Sequence, residues 1–416
     1  MAASAMRAQT FNVIHQFSFG PAGSNPYTGV TIDARGRLYG TTGSGGVDGY
    51  YCDYGCGVLY RLEQHGSGWI YTPLYAFRGP TGDGDGPNSR PVFAPNGILY
   101  GTTGSGGMDF CEGPGCGIAY SARPPATACT TALCVWQESA IYSFGNDYGG
   151  PSNGALVFDA YGNIYGTAVG GGLGDTGGTV YEMTLSNGQW VYSNLYTFPF
   201  AGSDGSFPEG GVIFDRAGNL YGTTSEGGNT GCSEDRGCGT VFELSPSVSG
   251  WTETVLYAFQ GGADGEGPIG GLIMDSGGNL YGTTVEGGQN GGGTVFELSP
   301  SGSNWNFNLL YSLSKTGGYP QGPTGSLAMD SAGNLYGTTA NGGLYGYGAI
   351  FKLSPSAGGW TYISLHDFTY GNDGGIPIGD VTLDGNGNLY GTASNGGANG
   401  CQPVTDGCGV VWEITP

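Results

Sequence analysis

Residues 252–305 read TETVLYAFQGGADGEGPIGGLIMDSGGNLYGTTVEGGQNGGGTVFELSPSGSNW, and the chain contains seven versions of this stretch. A Tyr-Gly-Thr segment marks each version, and successive tyrosines lie 54 to 65 residues apart, at Tyr39, Tyr100, Tyr165, Tyr221, Tyr281, Tyr336 and Tyr390. A period of this length predicts a repeat architecture. We place the repeats at residues 11–69, 70–136, 137–190, 191–251, 252–305, 306–360 and 361–416 of one domain, after an N-terminal extension or leader remnant at 1–10.

Each repeat contains four short segments that are typical of β-strands. In the fifth repeat they are TETVLYAF, GGLIMD, NLYGTT and GTVFELSP, which are rich in β-branched and aromatic residues and are bounded by Gly, Asp, Asn and Ser. Four strands in each of seven units predict an all-β fold, a seven-bladed β-propeller with four-stranded blades.

The phase of the repeat predicts how the ring closes. With GGLIMD innermost and TETVLYAF outermost, the chain begins on an outer strand, at 11–17, and ends on a third strand, at 409–414. The N-terminal strand is therefore expected to complete the last blade. That arrangement closes the ring and leaves no exposed sheet edge for another chain to pair with.

The composition is consistent with a fold that has many tight turns. Glycine supplies 89 of the 416 residues and proline 22, a share that in a chain without a period would indicate disorder. Aromatic residues make up 13% and charged residues only 11%, which is the reverse of a disordered chain. The glycines therefore serve turns, strand ends and loops.

Six tryptophans precede the outer strands at a fixed spacing: Trp69, Trp136, Trp190, Trp251, Trp305 and Trp360. We interpret them as packing between blades, and a sugar-binding platform is the alternative. The seventh outer strand has Gln9 at the corresponding place.

The unit GNLYGTT…GG…GTVFEL resembles the GloVer repeat of exported bacterial "choice-of-anchor" tandem-repeat proteins. The resemblance spans about residues 11–416 and is weakest in the first two repeats, which read GRLYGTT…GVLYRL and GILYGTT…GIAYSA. It implies export and often attachment to the cell surface. It supplies no catalytic residues.

Charge excludes one class of partner. The net charge of −22 makes nucleic-acid binding untenable, because that needs clustered Lys and Arg. No apolar run approaches about 20 residues, so we expect no membrane span. An acidic surface suits solubility, divalent cations or basic partners.

The ten cysteines form five close pairs, and four of these precede a third strand where the connecting loop is long. The pairs are Cys52 with Cys56, Cys111 with Cys116, Cys129 with Cys134, Cys232 with Cys238, and Cys401 with Cys408. Their unequal spacings favour disulfides over zinc, and disulfides indicate an oxidising compartment. We therefore expect an extracellular or cell-surface location in a bacterium.

Two sets of aspartates recur. The loops that lead into the blades carry Asp-Gly followed by Pro and Gly, with acids at Asp83, Asp85, Asp147, Asp204, Asp264 and Asp373. These acids either cap their own turns or bind calcium, and both interpretations stay open. The second set lies in the first hairpin turn of a blade and is assigned to structure: Asp33, Asp159, Asp215, Asp275, Asp330 and Asp384.

The sequence contains few candidate catalytic residues. His15 and His366 occupy the place of an outer-strand tyrosine, and loop carboxylates such as Glu226 and Glu286 recur with the repeat, whereas catalysis needs asymmetry. The leading hypothesis is a non-catalytic structural, adhesive or interaction protein that binds protein partners or assembles with itself, for example as a filament subunit. The alternative is a carbohydrate- or ligand-binding propeller, and an exported polysaccharide hydrolase or lyase ranks third. Loop tyrosines are candidate contacts with glycans or protein partners: Tyr50, Tyr51, Tyr54, Tyr345 and Tyr347.

Overall fold

The computed structural model describes residues 9–47, 52, 54–79, 82–108, 115–125, 135–145, 149–170, 176–200, 202–229, 231–232, 236–314, 322–397, 401 and 407–416. It shows seven antiparallel sheets of four or five strands arranged as the blades of a β-propeller, as the repeat predicts. No helix among these residues is long and apolar enough to cross a membrane.

The strands of the first three blades follow one another along the chain. Blade 1 contains β2 (Val30–Ile32), β3 (Leu38–Thr42), β4 (Val58–His65) and β5 (Gly68–Ala76). Blade 2 contains β6 (Gly84–Pro87), β7 (Val92–Phe93), β8 (Leu99–Gly106), β9 (Ile118–Arg123) and β10 (Gln137–Ser143). Blade 3 contains β11 (Gly150–Pro151), β12 (Val157–Phe158), β13 (Ile164–Val169), β14 (Thr176–Ser186) and β15 (Gln189–Pro199).

The next three blades keep the same order. Blade 4 contains β16 (Ile213–Phe214), β17 (Leu220–Thr224), β18 (Thr240–Ser247) and β19 (Gly250–Ala258). A 3₁₀ turn (Gly262–Asp264) leads into blade 5, which contains β20 (Ile273–Met274), β21 (Leu280–Thr284), β22 (Gly291–Ser301) and β23 (Asn304–Ser314). Blade 6 contains β24 (Ala328–Met329), β25 (Leu335–Thr339), β26 (Ala349–Ser356) and β27 (Gly359–Asp367).

The last blade joins the two ends of the chain. It contains β28 (Thr382–Leu383), β29 (Leu389–Ala393) and β30 (Val410–Thr415), and its outer strand is β1 (Thr10–Gln16). Strand β1 pairs antiparallel with β30, with Val13 opposite Trp412, which is fully buried. The predicted closure by the N-terminal strand is confirmed.

The core lies between neighbouring blades and has one aromatic contact that repeats around the ring. Trp305 packs against Tyr221 of the preceding blade with ring centroids 6.0 Å apart. The pairs Trp69/Tyr390, Trp136/Tyr39, Trp190/Tyr100 and Trp251/Tyr165 repeat this contact, and Trp360 joins the apolar cluster of Tyr281. The structure thus places the six tryptophans in blade interfaces, where packing explains them.

The first hairpin of six of the seven blades is fastened by an aspartate, whereas blade 2 has Ala94 at this position. Asp275 accepts the backbone N–H groups of Gly277 and Asn279 at one carboxylate oxygen, at 2.8 and 2.9 Å. Its other oxygen accepts the Asn279 side-chain amide and the Tyr281 hydroxyl. The same arrangement recurs at Asp159, Asp215, Asp330 and Asp384, and at Asp33 an arginine, Arg37, replaces the asparagine. These aspartates have the structural role that the sequence predicts.

The inner strands have only two or three residues and are shorter than the sequence segments suggested. The glycines that precede them line the central axis of the ring instead. A Cβ on Gly379 would collide with the backbone nitrogen of Gly29 in the next blade, and one on Gly325 would collide with the carbonyl oxygen of Gly379. Similar contacts join Gly154 to Gly211, Gly210 to Gly270, and Gly270 to Gly325. Glycines therefore let the backbones of neighbouring blades touch at five of the seven junctions around the axis, from blade 3 through blade 7 to blade 1. We call these residues the glycine belt.

Removal of β1 should open the ring. A chain that begins at residue 17 exposes the edge of β30 and one side of Trp412, so we expect loss of cooperative thermal unfolding and concentration-dependent association. Circular dichroism melting and size-exclusion chromatography measure both. Deletion of residues 1–8 is the control and should leave the melting midpoint in place. A compact monomer with an unchanged midpoint after removal of β1 would contradict this closure.

The glycine belt should not tolerate a methyl group. We expect Gly379→Ala to lower the free energy of unfolding by about 1–3 kcal/mol, because backbone atoms of the next blade must move. The matched control is Gly358→Ala, where nothing lies within 4 Å of the added carbon, so the change should stay within about 0.5 kcal/mol. Urea denaturation of both variants provides the comparison, and equal stabilities would argue against the belt.

Candidate functional site

One face of the ring carries the long connections, and we call it the loop face. It holds the links from second to third strands, such as residues 43–57, and the links from outer strands to the next blade, such as residues 368–381. The opposite face carries hairpins of a few residues, such as 384–388. Loops on a rigid scaffold are where binding is usually found, so the loop face is the candidate site.

The Asp-Gly carboxylates of this face bond within their own connections. Asp83 accepts the Tyr75 hydroxyl at 2.6 Å and the backbone N–H of Arg78 at 3.0 Å. Asp264 accepts the Tyr257 hydroxyl at 2.9 Å, and Asp204 accepts that of Tyr196. Asp373 pairs with His366 and with the backbone of Thr369, and Asp85 accepts the Ser105 hydroxyl. Each of these carboxylates therefore ties a connection to its own strands, and Asp147 lies outside the described residues.

Among the described residues, the metal-type grouping of three side chains consists of Cys52, Cys56 and Asp85. The two sulfurs are joined in a disulfide, so they have no thiolate to offer an ion. The Asp-Gly carboxylates themselves do not form such a group in the described part of the chain. Calcium binding by these loops stays a prediction.

Three of the five expected disulfides lie within the described residues. They join Cys52 to Cys56, Cys232 to Cys238, and Cys401 to Cys408, each within a connection on the loop face. Several disulfides in one chain are typical of an oxidising, exported environment.

The other two expected disulfides involve cysteines that the structure does not describe. Cys116 is disulfide-bonded, and its expected partner, Cys111, lies outside the described residues. Cys129 lies outside the described residues, and so does Cys134. The bridge expected between Cys129 and Cys134 therefore stays a prediction.

Histidine is used for packing in the blade interfaces. His15 stacks on Tyr71 with centroids 4.3 Å apart, and burial lowers its pKa to about 4. His366 stacks on Phe11 at 3.6 Å. Three further interfaces have the same stack, in Tyr142/Tyr192, Tyr257/Phe307 and Tyr311/Tyr362. The interpretation of both histidines as replacements for a tyrosine ring agrees with this geometry.

Two interfaces carry a glutamate where the others stack a second ring. Glu138 lies beside Asp83 and Tyr75, and Glu253 lies beside Asp204 and Tyr196. Burial raises the pKa of Glu138 to about 8 and that of Glu253 to about 7, and the adjacent aspartate adds to each shift. One oxygen of each glutamate is buried without a hydrogen-bond partner. Each glutamate and its aspartate thus form an acid pair that favours one bound proton.

The axis of the ring contains a cavity of about 420 Å³ that all seven blades line. Each blade contributes a residue that lies one or two positions after the loop proline: Tyr27, Asn88, Asn153, Glu209, Ile269, Thr324 and Ile378. We call these the seven channel residues. Sequence analysis missed them because their types differ from copy to copy. That variation could have revealed them, because a position that varies between constant neighbours indicates a role other than folding.

The predicted tyrosine contacts are partly described. Tyr345 is 54% exposed and Tyr347 is 41% exposed in the connection between β25 and β26, where Leu344 is 75% exposed. Tyr347 lies against Tyr370 with centroids 4.7 Å apart. Tyr54 is 51% exposed, 6.4 Å from Phe19 in another connection. Tyr50 and Tyr51 lie outside the described residues. The structure therefore places two separate aromatic groups on the loop face.

The model of the Gloeobacter/Verrucomicrobia repeat matches residues 53–234 and again residues 230–416. The chain belongs to this family. The two matches cover the propeller from the first blade to the last, which agrees with the resemblance seen in the repeat unit. No curated protein matches the sequence. Family membership therefore establishes the repeat and brings no assigned activity.

Several solved structures are similar to the chain at low sequence identity. The extracellular domain of a proposed one-component system of B. thetaiotaomicron is 13% identical, with a TM-score of 0.51 over 97% of this chain and 40% of that one. A proposed oxidoreductase (glucose dehydrogenase) of Thermus thermophilus is 17% identical, with a TM-score of 0.46 over 78% and 95%. A gluconolactonase of Xanthomonas campestris is 13% identical, with a TM-score of 0.37 over 67% and 74%. At 13% identity, the likeness to the extracellular domain shows the fold alone.

The two acid pairs should make stability depend on pH. A glutamate with a raised pKa contributes stability that is fully present below its ordinary pKa of 4.5 and is lost as the pH rises through about 7 for Glu253 and about 8 for Glu138. We therefore expect the double variant Glu138→Gln/Glu253→Gln to melt a few degrees above the wild type beyond pH 8 and to match it near pH 4. Melting curves across this pH range check the sign.

Glu63→Gln is the control for the acid pairs, because its side chain is 38% exposed and pairs with Arg61. It should leave the pH dependence of the melting midpoint unchanged. A double glutamine variant with the same pH profile as the wild type would show that the two glutamates do not hold a proton in the folded state.

Proposed function

We propose that the protein is an exported or surface-located, non-catalytic interaction protein that binds protein partners, including copies of itself, through its loop face. The observation that carries the proposal is the contrast on that face. Its repeated carboxylates are engaged in local hydrogen bonds, whereas large apolar side chains of several connections stand in solvent: Val47, Tyr54, Met108, Phe200, Leu344, Tyr345 and Tyr347. Grouped exposed apolar residues are typical of protein contact sites.

The export part of the proposal rests on the disulfides and on the family. Three bridges tie connections on the loop face, which requires an oxidising environment for their formation. The Cys52–Cys56 bridge restrains the loop that carries the exposed Tyr54. A restrained loop loses less conformational entropy on binding, so the bridges favour recognition as well as durability.

The non-catalytic part of the proposal rests on the side chains that most resemble a nucleophile and a general base. Asp373 contacts both His366 and the Thr369 hydroxyl, so the hydroxyl bonds to the carboxylate and not to the imidazole. A hydroxyl nucleophile needs the base itself within hydrogen-bond reach. The other buried histidine, His15, stacks in a blade interface. Neither residue is arranged for general-base catalysis.

A second candidate is carbohydrate binding, which the paired aromatic rings on the loop face favour. Tyr347 and Tyr370 present adjacent rings beside the exposed Tyr345, and such amphipathic rings suit stacking on sugars. A glycan array distinguishes this function from protein binding. Turnover of polysaccharide that a single carboxylate substitution abolishes would instead support the third hypothesis, an exported hydrolase or lyase.

Self-association through the loop face should show in sedimentation. We expect reversible, concentration-dependent association of the wild type, weakened at least tenfold by Leu344→Asp, because a charge would be buried in the contact. The control is Ile363→Ser on the outer strand β27, where the side chain is 43% exposed. Electron microscopy of concentrated protein would show whether the association is closed or forms filaments. A strict monomer at all concentrations argues against self-association.

A further inference from the structure

The seven channel residues divide the wall of the axial cavity into two sides. Blades 2, 3 and 4 present Asn88, Asn153 and Glu209, which form a continuous polar arc. Blades 5 and 7 present Ile269 and Ile378, two aliphatic side chains. Thr324 stands between them, and its hydroxyl donates to the carbonyl of Ile378, so it offers mainly its methyl group. Tyr27 of blade 1 closes the ring and is 40% exposed. A seven-fold scaffold thus has an asymmetric wall at one position.

The variable channel residue is distinct from the neighbouring residues on which the fold depends. The residue before each channel residue is proline in six of the seven repeats, and the residue after it is glycine in five. Folding therefore constrains both neighbours and leaves the channel residue free to vary. The residue two positions before the channel residue has a positive φ in five repeats, at Asn25, Gly86, Phe207, Gly267 and Ile376, so this turn is also part of the repeat.

The carboxylates of the cavity differ in their partners. Asp380 lies 3.2 Å from the Arg90 guanidinium and also accepts the backbone N–H of Ser326. Glu209 accepts the Ser225 hydroxyl at 3.0 Å, and no Lys or Arg of the described residues lies within salt-bridge distance of it. Burial raises the pKa of Glu209, and the nearby Glu226, which pairs with Arg236 at 3.5 Å, adds to the shift. Glu209 is therefore an acid that a bound cation would stabilise in its ionised form.

We infer that the axial cavity binds an alkylammonium group, with the charged nitrogen at Glu209 and the aliphatic part against Ile269 and Ile378. The cavity volume lies within the range of small-molecule sites, about 300–1,000 Å³. The net charge of −22 attracts cations toward the cavity, and Tyr27 at the rim offers a ring face to an approaching ammonium. The same chemistry comes either from a free aliphatic amine or from a lysine side chain of a protein partner.

The alkylammonium site goes beyond the proposed contact surface and fails separately from it. The exposed apolar groups of that surface lie on connections away from the axis, so Leu344→Asp should leave amine binding intact. Conversely, Glu209→Gln should leave self-association intact. A lysine-bearing partner would connect the two activities, but neither requires the other.

Isothermal titration calorimetry with three probes tests the inference at fixed ionic strength: n-butylammonium, the uncharged 1-butanol, and a short acetylated peptide with one lysine. We expect saturable one-to-one binding of n-butylammonium or of the peptide, and none of 1-butanol. Glu209→Gln should weaken binding at least tenfold, because it removes the charge and keeps the shape. Binding of the peptide alone identifies a partner's lysine as the source, whereas equal binding of n-butylammonium identifies a free amine.

Two further variants keep the result interpretable. Ile269→Thr places in blade 5 the residue that blade 6 already has, so the fold should accept it while contact with the alkyl chain is reduced and affinity falls several-fold. Glu286→Gln removes a loop-face acid that does not line the cavity and should leave binding unchanged. The inference is overturned by absence of saturable binding of either amine, by equal affinity in Glu209→Gln, or by 1-butanol binding as well as n-butylammonium.

Discussion

Around the axis of the ring, at five of the seven junctions between blades, glycine lets the main chain of one blade lie against the main chain of the next. Glycine permits this contact, since a Cβ at Gly154, Gly325 or Gly379 would overlap backbone atoms of the neighbour. Threonine hydroxyls of the second strands bridge the same seam, as Thr167 does to the carbonyl of Gly210 at 2.8 Å. The blades converge closely enough to close a seven-fold ring because backbone polar groups and hydroxyls satisfy one another there. The short inner strands, the buried second strands and the narrow cavity all depend on this packing at the axis.

The packing at the axis also decides where the chain can carry recognition. One variable residue per blade lines the cavity, and Asn88 and Thr324 also bond to the next blade. The acids that recur elsewhere on the loop face are held by hydrogen bonds, as Asp83 is by Tyr75 and Asp264 by Tyr257. The carboxylates that recur in the repeats therefore stabilise the fold, and the channel residues, which vary, are available for binding. A protein built from near-identical units gains specificity only where the units differ.

Much of this structure could be predicted from the sequence, for a physical reason. The period, the four β segments and the phase of the repeat follow from local patterns that recur in the copies. The ring closure through β1 and the aspartates of six first turns could therefore be deduced. The seven channel residues could not be found in that way, because identical copies draw attention to what recurs. The pairing of Glu138 with Asp83 was also out of reach, since it joins the outer strand of one blade to a connection that begins in another. Contacts between units need the ring itself.

The acid pairs show how the same interface position serves two physical purposes. Five interfaces fill this position with stacked rings. In three of them both rings are Phe or Tyr, so the charge of the stack does not change near neutral pH. Two interfaces fill it with a glutamate whose neighbour is already an acid, and the chain has few basic residues to neutralise either group. Raising the pH therefore adds charge to an interface that is strongly acidic already. With 33 acidic and 11 basic residues in the chain, a bound proton lowers the charge of each acid pair. Glu209 faces the same choice beside an open cavity, where a bound cation can replace the proton.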